Sequence, residues 1–117
     1  MTKLYAYKGC DGCKKAMRWL KANDISFEEI AIRETPPSID ELKTMLGHQG
    51  GGLKKLFNIS GQDYRKMGLK GTLPSMSEDD ALKLLSENGN LVKRPFLLSE
   101  SVGLVGFKED IWRAALL

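Results

Sequence analysis

Both cysteines of this 117-residue chain fall in one tetrapeptide, Cys10-Asp11-Gly12-Cys13. Two thiols at that spacing can exchange with an outside disulfide, close on each other, or contribute to a metal site. Their setting separates these options. Lys3 to Tyr7 is a short apolar and aromatic run with strand character, after which Cys13, Ala16, Met17 and Leu20 recur at helical spacing. The motif therefore straddles a helix N-terminus, whose unpaired amides and partial positive charge favour a thiolate over a thiol. Cys10 is the sulfur so placed, and Lys8, Lys14 and Lys15 add cationic charge around it. Cys13 follows one turn along, where Cβ atoms stand about 5–6 Å apart, near the separation a disulfide requires. Cys10 is the expected nucleophile and Cys13 the thiol that resolves its adduct.

A structural disulfide or a buried pair of inert thiols is the bland alternative, and a metal site the weakest. Zinc wants four ligands, and the remaining strong candidate, His48, lies far along the chain in a glycine-rich stretch that marks it as a solvated loop residue. At 117 residues and 42% hydrophobic content, one core can close without disulfide staples. Met1-Thr2-Lys3-Leu4-Tyr5 reads as the start of a strand rather than a secretion signal, and no long apolar run suggests a membrane span. The expectation is a single cytoplasmic domain over 1–117, in a compartment where disulfides are more often transient than structural. The net charge of +3 comes from 18 basic residues interleaved with 15 acidic ones, with no stripe to follow a phosphate backbone. Direct nucleic-acid binding is not expected.

The remaining elements follow from caps and breakers. Ser26 to Ile32 has the character of a second strand, which makes the opening unit βαβ with a right-handed crossover. Ser38 and Glu41 have capping-box spacing before Ile39, Leu42, Met45 and Leu46, and the glycines from Gly47 to Gly52 stop that helix. Those glycines lack the Lys-Ser/Thr and preceding strand of a phosphate-binding loop. Short helices are expected at Leu53 to Phe57 and Gln62 to Met67. Another begins after Ser77 and stops at a left-handed Asn88-Gly89. Phe96 to Leu98 and Val102 to Val105 form a hairpin, and Ile111, Trp112, Ala115 and Leu116 share one face of a last helix. The order is βαβ, helices, then ββα, an α/β fold with a helical insertion over about 36–90.

With these pieces in place, the chain resembles the arsenate reductase (ArsC)/Spx-like family along essentially its whole length. The resemblance is carried by Cys10 to Ala16, Glu34-Thr35-Pro36-Pro37, Phe57-Asn58-Ile59-Ser60-Gly61, Lys93-Arg94-Pro95 and Val105-Gly106-Phe107-Lys108. It implies a thioredoxin-like core with an inserted helical subdomain and a redox thiol at Cys10. It also implies that Arg94 and a cis Pro95 lie beside that thiol. Arg94 then joins Cys10 and Cys13 as a catalytic candidate, its planar fork suited to an oxyanion or a glutathione carboxylate. Substrate contacts are expected from Lys8, Gly9, Asp11, Gly12 and Lys14 around the motif and from Asn58 and Pro95 across it.

The resemblance further implies thiol-disulfide oxidoreductase chemistry without a separate cofactor, with glutathione or a thioredoxin- or glutaredoxin-type protein as reductant. The alternative it implies is an Spx-like redox-responsive regulator that binds the RNA polymerase α subunit. Arsenate reduction is the weaker expectation, because Asn58 stands where such enzymes carry an arginine and Cys13 supplies an internal thiol where many use an external one.

Overall fold

The computed structural model describes residues 2–117, so Met1 of the expected first strand lies outside the described residues. Lys3–Ala6 forms β1, Asp11–Ala22 forms α1, and Glu28–Ala31 returns as β2, parallel to β1. The next stretch is helical: α2 (Ile39–His48), a 3-10 turn at Leu53–Leu56, α3 (Gln62–Lys66), α4 (Leu69–Thr72), a 3-10 turn at Leu73–Ser75 and α5 (Glu78–Glu87). A last 3-10 turn, Gly89–Leu91, leads to β3 (Phe96–Leu98), β4 (Gly103–Val105) and α6 (Glu109–Leu116). β3 runs antiparallel to both β1 and β4, giving the sheet order β2-β1-β3-β4. This is the thioredoxin-like βαβ…ββα arrangement with its helical insertion.

Strand alternation divides the interior into two layers. Tyr5, Phe96 and Leu98 face the insertion, where they pack with Leu42, Met45 and Leu82. Leu4, Ala6, Leu97 and Leu104 face the other way, against Cys13, Ala16, Trp19 and Leu20 of α1 and Trp112 of α6. Each fully buried leucine in such a layer is worth about 1.5–3 kcal/mol over exposure. Cys13 is thus a member of the core before it is a member of any site.

The capping box at Ser38 and Glu41 forms, and its glutamate also reaches the sheet. Glu41 accepts from the Ser38 amide at 3.0 Å, from Tyr5 Oη at 2.6 Å and from Lys3 Nζ at 3.1 Å. One carboxylate therefore caps α2 and fastens it to β1. Burial works against this charge, but the bonds from Tyr5, Ser38 and Lys3 outweigh it and hold the Glu41 carboxyl below its ordinary range.

Several expectations need correction. β2 is shorter than the expected Ser26 to Ile32, and α2 continues through Gly47 to His48. The left-handed residues that follow are Gly50 and Gly51, at φ 73° and 85°. Asn88-Gly89 is not a left-handed stop: Asn88 has φ −142° and caps the next turn through the Asn90 amide. Gly89 is needed for contact, since a Cβ there would run into the Ile32 carbonyl oxygen just past β2. On α6 the inward residues are Trp112 and Leu116, while Ile111 and Ala115 are exposed. The short length of α6 and the edge position of β4 leave Ile111 nothing to pack under.

Gly89→Ala is expected to cost about 3 kcal/mol in urea unfolding, because the opposing atom is backbone and cannot rotate away. The lowered Glu41 pKa adds stability that is present above the ordinary carboxylate range and lost as pH falls through the lowered value. Glu41→Gln should remove about 1.5 kcal/mol at neutral pH and flatten that acid limb of the stability curve.

Candidate active site

β1 ends by handing the chain to a tight turn at Lys8 and Gly9, closed by the Cys10 amide donating to the Tyr7 carbonyl at 3.0 Å. A Cβ on Gly9 would come within 2.7 Å of Tyr7 Cε2, so glycine lets the turn lie against that ring. Cys10 is extended, at φ −93° and ψ 115°, and serves as the N-cap of α1. Its Sγ accepts the Cys13 amide at 3.2 Å, a place usually filled by a Ser or Asp oxygen. The sulfur thereby receives one of the unpaired donors of the helix N-terminus.

The two thiols are free and unequal. Cys10 is partly exposed, and Cys13 is fully buried. Burial first, and then the hydrogen bond to the Cys10 side chain, push the Cys13 thiol up to about 12. A backbone hydrogen bond from Tyr7 and the charge of Arg94 pull the other way without prevailing. Cys13 is therefore held as a protonated thiol at neutral pH. Across from the motif, the Arg94-Pro95 peptide is cis. A Cβ built on Gly12 would lie 3.7 Å from Pro95 Cδ and 3.9 Å from Cys10 Sγ, so the proline ring and the sulfur border the same space beside Gly12.

Arg94 is positioned by what surrounds it. Its Nη2 donates to the Asn90 carbonyl at 2.8 Å, and its Cζ stands 5.6 Å from the Tyr7 ring centroid. Arg33 approaches the same ring at 4.7 Å. Arg94 Nε is buried without a hydrogen-bond partner, a costly state that a bound anion would relieve. Asn58 Nδ2 also reaches the Asn90 carbonyl, at 3.4 Å, so Asn58 and Arg94 converge on one oxygen.

The geometry fits a known family. Residues 5–115 match the ArsC family model. The chain belongs to the ArsC family. It is 46% identical over 106 residues to the uncharacterized protein YusI of Bacillus subtilis (strain 168), covering 91% of this chain and 90% of that one. It is 33% identical over 110 residues to the global transcriptional regulator Spx of Enterococcus faecalis (strain ATCC 700802 / V583), covering 94% of this chain and 82% of the regulator. Among solved structures, an ArsC family related protein from Bacteroides fragilis superposes with a TM-score of 0.91 at 39% identity, over 97% of this chain and 95% of the other.

Within this ArsC-family site, Cys10, Gly12, Cys13 and Pro95 come together, and the charge of Arg94 acts on the Cys13 proton. Asn58 joins through Asn90. Lys8, Asp11 and Lys14 are exposed on the rim. His48 is not beside the cysteines: it ends α2 against Gly103, where a Cβ would meet its ring at 2.6 Å. Sequence reasoning missed Tyr7, Arg33 and the Asn90 carbonyl. Tyr7 had a signal, since it is the aromatic residue at the end of the strand that feeds the motif. The Asn90 carbonyl had none, because backbone acceptors leave no mark on side-chain identity.

The raised Cys13 pKa has a signed consequence. Folding holds this proton more tightly than the unfolded chain does, so its stabilisation is complete below about pH 9 and drains away as pH rises toward about 12. Cys13→Ala should remove the part of the alkaline instability that begins first in a pH series of urea unfolding. The later part should persist, since the Tyr5 hydroxyl is also pushed upward, by burial and then by Glu41.

Proposed function

We propose that this protein is a thiol-disulfide oxidoreductase in which the Cys10 thiolate attacks one sulfur of an outside disulfide. A bond forms between Cys10 Sγ and that sulfur, the outside S–S bond breaks, and the released thiolate takes a proton from solvent. Cys13, after losing its own proton, attacks Cys10 Sγ and expels the second thiolate, leaving a Cys10-Cys13 disulfide. Two electrons from glutathione, or from a thioredoxin- or glutaredoxin-type dithiol, restore the pair. The observation that carries this reading is the Cys13 amide on Cys10 Sγ, with the Cys13 thiol buried one turn along.

The surroundings support it. Pro95 flanks Cys10 with a side chain that donates no hydrogen bond, and Gly12 leaves the sulfur open to approach. Arg94, with its unsatisfied Nε, would hold a carboxylate or oxyanion of the incoming molecule. Arsenate is a poorer fit than a thiol adduct, since Asn58 brings an amide where a second guanidinium would spread a double charge.

A second reading is favoured by the Cys13 thiol. In the reduced pair the Cys13 thiol, pushed up to about 12, is a thiolate only rarely at neutral pH, which disfavours fast resolution. Slow resolution suits a redox-responsive regulator better than rapid turnover, and one relative of this chain, Spx, is named a global transcriptional regulator. In that case the modified α1 N-terminus would alter a protein-binding surface, with the RNA polymerase α subunit as the partner to test.

Iodoacetamide should alkylate Cys10 and spare the buried Cys13 in intact-mass analysis, and an unreactive Cys10 would remove the basis of both readings. Cys13→Ser should accumulate Cys10 mixed disulfides detectable by intact mass. Multiple turnovers of a small disulfide that vanish in Cys10→Ser favour the enzyme. A single adduct formed without turnover, together with oxidation-dependent capture of the α subunit, favours the regulator.

A further inference from the structure

β4 is an outer strand of the sheet, and its free side is not flat surface. It forms the floor of a groove of about 780 Å³ walled by the Leu53 to Ile59 segment on one side and by the start of α6 on the other. Two of the five large hydrophobic residues that are well exposed among the described residues stand on these walls, Ile59 at 44% and Ile111 at 49%. Four lysines, Lys54, Lys55, Lys93 and Lys108, line the same groove, and no acidic residue does. A greasy cleft with only positive charge selects an occupant that is both apolar and acidic.

The backbone of the floor says what shape that occupant has. Gly106 N–H donates to Pro95 O at 2.8 Å and Ser99 N–H to Val102 O at 2.9 Å, while Leu104 lies opposite Leu97. In an antiparallel ladder this parity turns Leu104 toward β3 and turns the polar groups of Gly103 and Val105 outward. The outward Gly103 carbonyl accepts from Gln49 Nε2 at 3.1 Å. Among the described residues, the Val105 N–H and C=O have no hydrogen-bond partner outside the sheet. They form a paired donor and acceptor facing the groove, the recognition element of strand addition.

We propose that this groove binds an extended, acidic and apolar segment of a partner protein, which adds as a fifth strand at Val105. One set of alternate side chains would lie over Phe57 and Ile59, the other over Phe107 and Ile111, with carboxylates reaching the four lysines. β4 runs parallel to β1, because each is antiparallel to β3, so its C-terminal end opens at the same end of the sheet as Cys10. Three strand spacings separate β1 from the added strand, roughly 14 Å, a span covered by about four extended residues. The groove therefore selects a protein whose reactive cysteine lies about that far from the docked segment. This last step rests on the redox reading; the docking itself does not.

The test uses a fluorescein-labelled peptide of repeating Glu-Glu-Val-Val, which puts glutamate and valine on both faces of an added strand, with repeating Lys-Lys-Val-Val as its control. Anisotropy should show saturable binding of the first only, equal in the wild type and in Cys10→Ser, with the Val105 amide among the resonances that shift most in NMR. Lys54→Glu combined with Lys108→Glu should weaken binding by about tenfold or more, while circular dichroism checks that the fold is kept. Carrying an activated disulfide about four residues from the docked stretch should speed its reaction with Cys10 relative to the control peptide. Failure of that arm alone tells against the redox reading. Three results overturn the docking proposal: no binding of the acidic peptide, binding that leaves Val105 unmoved and survives charge reversal, or concentration-dependent self-association that shifts the same amide.

Discussion

A single backbone N–H, that of Cys13 pointed at Cys10 Sγ at 3.2 Å, sets the geometry of the site. The same bond caps α1, so the start of the helix and the placement of the sulfur over its first turn support each other. The packing of α1 fixes the rest: Cys13, Ala16, Trp19 and Leu20 sink into the layer beneath β1 and β3, which aims the N-terminus at Pro95. Only Cys10, at the rim of that layer, remains accessible. The inequality of the two thiols is thus a product of helical periodicity, since a residue at the cap and one inside the first turn cannot share an environment.

Around this pair the protein uses few charged groups and anchors them on backbone. Arg94 is steered by the Asn90 carbonyl and the face of Tyr7 rather than by a carboxylate. An ion pair there would have cancelled its charge, whereas a carbonyl and a ring orient the guanidinium and leave its positive charge to act on Cys13. The unpartnered Nε is consistent with an arginine kept for an incoming group.

The parts of this arrangement that could be read from residues alone are those governed by local rules. The Cys10 to Cys13 spacing between strand and helix, the Ser38 to Glu41 box and the Ser77 cap depend on neighbours within one turn. The cis geometry at Pro95 and the nearness of Arg94 came from family resemblance, because nothing in Lys93-Arg94-Pro95 itself states what lies opposite. Gly89 was misread for a related reason: a glycine after an asparagine signals a turn locally, but its role here is set by the Ile32 carbonyl from a distant strand. Ile111 followed its helical period correctly, yet the sheet ends at β4 and offers it no cover.

That contact at Gly89 bears on how the molecule moves. The helical excursion between β2 and β3 is pressed backbone to backbone onto the strand it left, at the point where it rejoins the core, and Glu41 bolts its other end to β1. Opening the excursion as a flap would therefore break a contact at one end or the other, the Gly89 approach or the Glu41 bonds to β1.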